Sequence, residues 1–377
     1  MSNPFRSRLL EVSVVALLTG CGGGGENPVA NNESPVDDNS LGGIVDAAVA
    51  AEMKAQGMPG MTVAVAKNGV ILYAQGYGYA NLSTHQPMPA DAVMQIGSIT
   101  KQFTATAILQ LQDAGLIDID RTVVSYLPNY AFDPRITLRM LLNQTSGLQD
   151  YLNMPSLQQY GATGAPESIP LNAIVAAPLL FDPGSAFNYS NSNYYILGSV
   201  IEAVSSQTYA DYMAARVFPP AGLNDTSYLR PPVSASPYAQ GSTGPVAGNI
   251  PDPSAYFSAG QLWSNVQDLA SWDAALLNGK VIPLTSFNSM LTPAPVPNFQ
   301  QGGSSSYGMG WIVGPTVSGH SFIWHNGQTA SYTAFNGLLT DDGFSVTVLT
   351  NYPVNEATPL LNFGQNLIKE ICNAHGC

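Results

Sequence analysis

Two β-rich stretches lie far apart in the 377-residue chain, and together they constrain the fold more than any other feature. "MTVAVAKNGVILYAQGYGYAN", from Met61, reads as two strands joined at Asn68-Gly69, a dipeptide suited to the positive backbone angles of a tight hairpin. Near the other end come "GMGWIVG", "SFIWHNG", "YTAFNGLL" and "FSVTVLTN", each a short apolar run with strand character. The middle of the chain is helical pieces broken by loops. Strands this far apart bury both faces most simply in one shared antiparallel sheet, which leaves the middle as a mostly helical insertion. The expected class is therefore α+β, with helices flanking the sheet and a functional cleft between sheet and insertion.

Other elements fit this plan. "SLGGIVDAAVAAEMKAQ" from Ser40 reads as a helix, as does the end of the chain from about Ala357 to Ile371. "SNVQDLASWDAALLNG" carries a capping box at Ser264 and Gln267 and a stop at Gly279. Ser98 to Ala114 places Ile99, Phe103, Ala107, Ile108 and Leu111 on one side and stops at Gly115. The sheet part is expected at about 41–95 and 300–377, and the helical part at about 96–299. There is no internal repeat.

Charge narrows the partners. The chain has 25 acids against 12 bases, and no basic cluster offers a nucleic-acid surface. Charged residues are only 10%, which fits an exported protein better than a cytosolic one. Arg6 and Arg8 precede an apolar run, Val12 to Leu18, and "LTGC" ends at Cys21, the layout of a secretory signal over residues 1–20. Those four residues resemble the lipobox of bacterial lipoproteins, which implies a lipid on Cys21; an ordinary cleaved signal is the plainer alternative. Residues 21–40 read as a flexible tether before a folded domain at 41–377. The expectation is an exported protein, periplasmic or anchored to the outer membrane by that lipid. No other stretch reaches the roughly 18 apolar residues of a membrane span. Cys372 and Cys377 suit either a small disulfide or free thiols, and with His375 between them they match no metal-site spacing.

The chemistry gathers in "IGSITKQFTATAILQL", Ile96 to Leu111. A serine hydroxyl is a weak nucleophile until something takes its proton. Residues three apart on a helix share a face, so Lys101 can reach Ser98 Oγ. A helix start also offers free N–H groups to a developing oxyanion. Of the five lysines, only Lys101 has a serine three residues before it.

Ser-x-x-Lys, then a Tyr-x-Asn triplet, then a basic-x-Gly triplet resembles the serine β-lactamase and penicillin-binding protein superfamily. The similarity is to its class C β-lactamase and D-alanyl-D-alanine carboxypeptidase branch, and runs from about Leu41 to the C-terminus. "GYGYANL", "LLNQTSGL", "FNYSNSNYYILGSVIE", "FSAGQLWSNVQDLASW", "YGMGW" and "VTVLTN" support it. Tyr-x-Asn occurs at Tyr79, Tyr151 and Tyr189; only Tyr189-Ser190-Asn191 has the order and context that the family uses. The third element is His325-Asn326-Gly327.

The resemblance implies a serine hydrolase that forms an acyl-enzyme on Ser98. Lys101 would orient and help deprotonate Ser98, and Tyr189, as a phenolate favoured by Lys101, would be the general base. Asn191 would position Lys101 or the substrate. The N–H groups of Ser98 and Gln328 would form the oxyanion hole, with Asn326 and Gly327 against the substrate. His325, on the cleft edge, would offer a substrate carboxylate a neutral bond above neutrality and a charged one in acid. No metal or organic cofactor is implied, and no protein partner is evident.

Rival hydrolases lack their marks: there is no Gly-x-Ser-x-Gly elbow and no His-Glu-x-x-His zinc motif. Three substrate readings stay open. One is a D-Ala peptide or β-lactam, another a small neutral ester cleaved by a carboxylesterase of the same family. The third is a penicillin-binding sensor that does not turn over. After Arg230 the only cations besides histidine are Lys280 and Lys369, which leaves few groups to hold a carboxylate.

Overall fold

The computed structural model describes residues 40–296, 305–354 and 358–377. The secretory signal, Cys21 and nearly all of the tether lie outside the described residues.

Helix α1 (Leu41–Gln56) starts where Ser40 Oγ accepts from Gly43 N at 3.0 Å, and ends at left-handed Gly57. Later helices that bear on the site and the two cores are α2 (Thr100–Asp113), α3 (Asn191–Ser205), α4 (Pro253–Gly260), α5 (Val266–Leu277) and α6 (Thr358–His375). The strands are β1 (Gly60–Lys67), β2 (Val70–Asn81), β3 (Gln86–Pro87), β4 (Met94–Gln95), β5 (Tyr238–Gly241), β6 (Gly244–Ala247), β7 (Trp263–Ser264), β8 (Ser306–Tyr307), β9 (Ile312–Val313), β10 (Phe322–Gln328), β11 (Thr333–Leu339) and β12 (Phe344–Thr350). Asn68 and Gly69, at φ 51° and 78°, form the expected hairpin turn between β1 and β2.

Eight strands form one antiparallel sheet in the order β3-β2-β1-β12-β11-β10-β9-β8. The two ends of the chain meet where β1 runs against β12, from Met61 opposite Thr350 to Lys67 opposite Phe344. The period-two alternation divides the sheet's side chains between two cores. Val63, Val65, Phe335, Val346 and Val348 pack with Val45 and Val49 of α1 and with Leu367 and Ile368 of α6. Ala64, Ala334, Leu338 and Leu349 face the other way, with Phe103 and Ile108 of α2 and Leu269 and Trp272 of α5.

Two details depart from the sequence reading. Ser264 does not cap α5. It is buried in β7, opposite Met94 of β4, with its hydroxyl 2.8 Å from that of Thr226. Asn265 is the cap, its Oδ1 accepting from Asp268 N at 2.8 Å. Residues 96–299 are also less uniformly helical than expected: β5 and β6 form a hairpin, and α5 packs against β1, β2 and β12.

Cys372 and Cys377 are joined by a disulfide. Among the described residues, no helix is long and apolar enough to cross a membrane, and no group of three or more His, Cys, Asp or Glu is placed to hold a metal ion.

Candidate active site

Ser98 sits in a single 3₁₀ turn, Gly97–Ile99, that feeds directly into α2. Two glycines let this turn press against the end of β10. A Cβ on Gly97 would lie 2.6 Å from Gln328 N, and one on Gly327 would lie 1.9 Å from Ile96 O and 3.1 Å from Ser98 N. The close approach brings the Ser98 and Gln328 backbones together. In the β10–β11 ladder Thr329 N donates to Tyr332 O, so the alternating pattern turns the N–H of Gln328 away from β11. The Gln328 side chain is occupied elsewhere, donating to Val354 O at 2.8 Å. What remains for the cleft is its backbone N–H, the part an oxyanion hole uses.

Lys101, in the first turn of α2, is completely buried. Its Nζ lies 2.9 Å from Ser98 Oγ, 2.8 Å from Asn191 Oδ1 and 2.8 Å from Ala259 O. Burial lowers its pKa to about 7, against the opposing pull of Asp150. Two of its three partners, an amide oxygen and a carbonyl, can only accept. They fix two N–H directions and leave the third position toward Ser98. In the neutral amine that position is a lone pair aimed at the serine hydroxyl.

Tyr189 stands at the entrance to α3. Its backbone neighbour Ser190 donates N–H to Gln144 Oε1 at 3.0 Å, and Asn193 Nδ2 donates to the same oxygen at 2.5 Å. Gln144 itself takes a left-handed backbone, φ 64°. The "LLNQTSGL" loop thus clamps the "YSNSN" segment. Tyr189 presents part of its ring to the surface, while its hydroxyl is enclosed beside Ser98. Lys101 Nζ lies 4.9 Å from its ring centre. Burial first, and Tyr307 second, hold its pKa well above 10, against the opposing pull of a hydrogen bond with Ser98. The expected phenolate is therefore disfavoured, because desolvation of the enclosed hydroxyl raises its proton affinity.

The other two tyrosines of the repeated triplet are elsewhere. Tyr79 is exposed on β2, edge-on to His85. Tyr151 is buried in its own 3₁₀ turn, donating to Ala255 O at 2.5 Å and packing on Tyr195.

His325 lies on the same sheet face as Ile323, toward α2, and is 2% exposed. Its Nδ1 is 2.6 Å from Asn326 O, which can only accept, so Nδ1 carries the proton. Nε2, 3.2 Å from Tyr307 Oη, then accepts from the phenol. Burial first, and the Lys101 charge second, lower its pKa to about 3. This corrects the expectation of a histidine that charges in mild acid: it stays neutral, with both ring nitrogens committed inside the protein. Asn326 is half-buried and Gly327 buried beside the Ser98 turn.

Several contributors were not anticipated. Asp150 caps the Tyr151–Asn153 turn and accepts from Asn191 Nδ2 at 2.8 Å, so Asn191 bridges Asp150 to Lys101. Ala259 O is delivered by α4, which breaks at Phe257 with φ 39° and ψ −134°. That strained backbone is held by ring contacts with Tyr195 and Tyr209. Tyr307 of β8 bonds His325 and packs edge-on against Tyr189, with ring centres 5.9 Å apart. Only the position of Asp150 and Gln144 inside "LLNQTSGLQDY" carried a hint.

With this geometry in place, comparison with known proteins decides the family. The Beta-lactamase family profile matches residues 45–366. The chain belongs to that family. A Bacillus subtilis protein named as a penicillin-binding protein, PbpX, is 32% identical, over 70% of this chain and 64% of its own length. A D-aminopeptidase of Cereibacter sphaeroides is 31% identical, over 78% of this chain and 57% of its own. The chain thus spans less than two thirds of either relative. The structure of an octameric penicillin-binding protein homologue from Pyrococcus abyssi superposes with a TM-score of 0.77 at 25% identity, covering 89% of this chain and 78% of that one. In this β-lactamase-family fold, Ser98, Lys101, Tyr189 and Asn191 occupy one cluster between α2, α3 and the end of β10.

Proposed function

We propose that the chain is a serine hydrolase that cleaves an amide or ester through an acyl-enzyme on Ser98. The observation that carries this reading is the buried Lys101 amine, held by two fixed acceptors and directed at Ser98 Oγ with a pKa near neutrality.

In the proposed cycle, neutral Lys101 takes the Ser98 proton as Oγ attacks the carbonyl carbon. The oxyanion is met by the N–H groups of Ser98 and Gln328; one such donor typically contributes about 10²–10³ in rate. The Tyr189 hydroxyl gives its proton to the leaving nitrogen or oxygen and is reprotonated at the expense of the Lys101 ammonium. Water then attacks the acyl carbonyl by the same groups in reverse roles, releasing the acid and free Ser98. Lys101 replaces Tyr189 as the base because its proton affinity, unlike that of the enclosed phenol, lies near neutral pH.

A neutral His325 weakens the D-Ala peptide and β-lactam reading, since the third motif offers a substrate carboxylate no charge. It favours substrates without that carboxylate, small neutral esters among them. The relative named D-aminopeptidase supports amide cleavage as well. An exported protein anchored through Cys21 fits the same reading, supported by "LTGC" and the Cys372–Cys377 disulfide.

Fluorophosphonate labelling followed by peptide mapping tests the proposal. The label is expected on Ser98 and is expected to vanish in Ser98→Ala. A label on another residue, or full turnover by Ser98→Ala, would overturn it. Turnover of nitrocefin, a D-Ala-D-Ala peptide and p-nitrophenyl esters separates the substrate readings, and labelling without turnover of any of them would favour a sensor.

A further inference from the structure

The segment "YGMGW", Tyr307 to Trp311, takes no direct part in the proposed cycle, yet it is built against the groups that do. It forms the β8–β9 hairpin, with Tyr307 opposite Ile312 and Gly308 N donating to Trp311 O at 2.8 Å. Gly310, left-handed at φ 77°, presses the turn onto α2: a Cβ there would lie 2.7 Å from Lys101 O. Met309 N donates to Met290 O at 2.7 Å and ties the turn down. From this anchored hairpin Tyr307, 3% exposed, reaches into the site. Its ring stands edge-on to Tyr189 and to His325, with centres 5.9 Å and 5.8 Å away. Its Oη donates to His325 Nε2 at 3.2 Å, and Gln144 and Tyr194 also bear on its side chain. One side chain thus meets the second motif, the third motif and the loop residue that clamps the second.

To protonate a leaving atom, the Tyr189 hydroxyl has to stay beside Ser98. An edge-on neighbour fixes the plane of its ring. A buried ring nitrogen needs a donor, and the rings of His325 and Tyr189 are 6.2 Å apart. By supplying that donor, Tyr307 keeps His325 from drawing the Tyr189 hydroxyl away. We infer that Tyr307 is a positioning residue for proton delivery to the leaving group: its ring orients Tyr189, and its hydroxyl satisfies His325 Nε2. It acts through Tyr189 and needs no contact with substrate. This inference rests on the serine-hydrolase reading and adds a residue to its leaving-group step.

The test uses leaving groups that differ in their need for a proton. p-Nitrophenolate departs without one, whereas ethoxide needs one, so kcat/KM is compared for the p-nitrophenyl and ethyl esters of one acid. The ratio of the first to the second is expected to rise by about 5- to 100-fold in Tyr307→Leu, which loses both ring and hydroxyl. Tyr307→Phe keeps the ring and should raise it by about 2- to 10-fold, the worth of one neutral hydrogen bond. In a Tyr189→Phe background, where the ratio is already high, either change at Tyr307 should add little. A merely structural role would lower both rates alike. An unchanged ratio in Tyr307→Leu, or a rise as large in the Tyr189→Phe background as in the wild type, would overturn the inference. If Tyr307→Leu does not fold, the same two outcomes are read from Tyr307→Phe. If neither ester turns over, the rates at which p-nitrophenyl and phenyl alkylphosphonates label Ser98 take their place, and the same shifts decide. Failure of Ser98 to label at all would sink the hydrolase reading instead.

Discussion

Lys101 and Asp273 invite comparison, because the same physical effect acts on both and only one of them faces a cleft. Each belongs to a helix packed on the same face of the sheet, α2 and α5, and neither is more than 1% exposed. Desolvation moves both toward neutrality: Lys101 down to about 7, Asp273 up to about 8. Their partners differ. Lys101 meets the hydroxyl of the partly exposed Ser98 at 2.9 Å. Asp273 accepts from Asn336 Nδ2 at 2.8 Å, and Asn336 in turn accepts from Thr347, all inside the packed layer between α5 and the sheet. A perturbed pKa therefore marks burial, and it becomes a functional signal only where a reactive group opens to substrate.

The largest effect that can break this contrast is on activity. Lys101→Met is expected to lower the rate of Ser98 acylation by about 10²–10⁴ or more, the range of a lost general base. It should change thermal stability far less than activity, since loss of the buried amine is offset by Asn191 Oδ1 and Ala259 O being left without their donor, at about 1–3 kcal/mol each. Asp273→Asn should leave acylation within about twofold of the wild type. Equal losses of activity in both variants, measured with one acylating probe, would erase the distinction between them.

Next in size is Tyr189→Phe, expected to slow turnover by about 10²–10³ through loss of proton delivery to the leaving group. Its pH profile separates the two candidate bases. In the wild type kcat/KM should rise with pH and level off above about 7, because Lys101 must lose its proton before it can take one from Ser98. The same acid limb should persist in Tyr189→Phe at lower absolute rate. Its disappearance from the variant would return the role of base to Tyr189.

The contrast also shows what could be read from the residues alone. Strand alternation and the Asn68-Gly69 turn exposed the shared sheet, because both are local signals of a long-range pairing. Ser98 and Lys101 were legible through their spacing of three at a helix start, although Ser98 stands in the 3₁₀ turn before α2, and Tyr189 through its order relative to "LLNQTSGL". Ala259 O was not, since a backbone carbonyl has no sequence mark and reaches Lys101 only through the break at Phe257. The protonation of His325 and Tyr189 was misjudged for one reason: each depends on how fully neighbouring elements exclude water. Ser264 and Asn265 were both able to cap α5, and the pairing of β7 with β4 decided between them.

The smallest effect concerns stability at Asp273. Its folded pKa, about 8, lies above the ordinary carboxyl value, so the folded state binds the proton more tightly than the unfolded chain. Linkage then gives a definite sign: the contribution of this group favours folding most below about pH 4 and is lost progressively as pH rises from there through 8. Asparagine keeps an acceptor for Asn336 Nδ2 and places an N–H₂ where the protonated carboxyl has its O–H, without the ionisation. Asp273→Asn should therefore match the wild type near pH 5 more closely than at pH 8.5, where it should be the more stable by on the order of 1–3 kcal/mol. Glu52 and Glu202 also have raised pKa values and bend the wild-type curve in the same direction, but they are common to both proteins and drop out of the difference. Denaturant melts of the two proteins across this range provide the measurement. A difference that stays constant with pH would mean that Asp273 is ionised in the fold at every pH tested, and that burial does not move it as it moves Lys101.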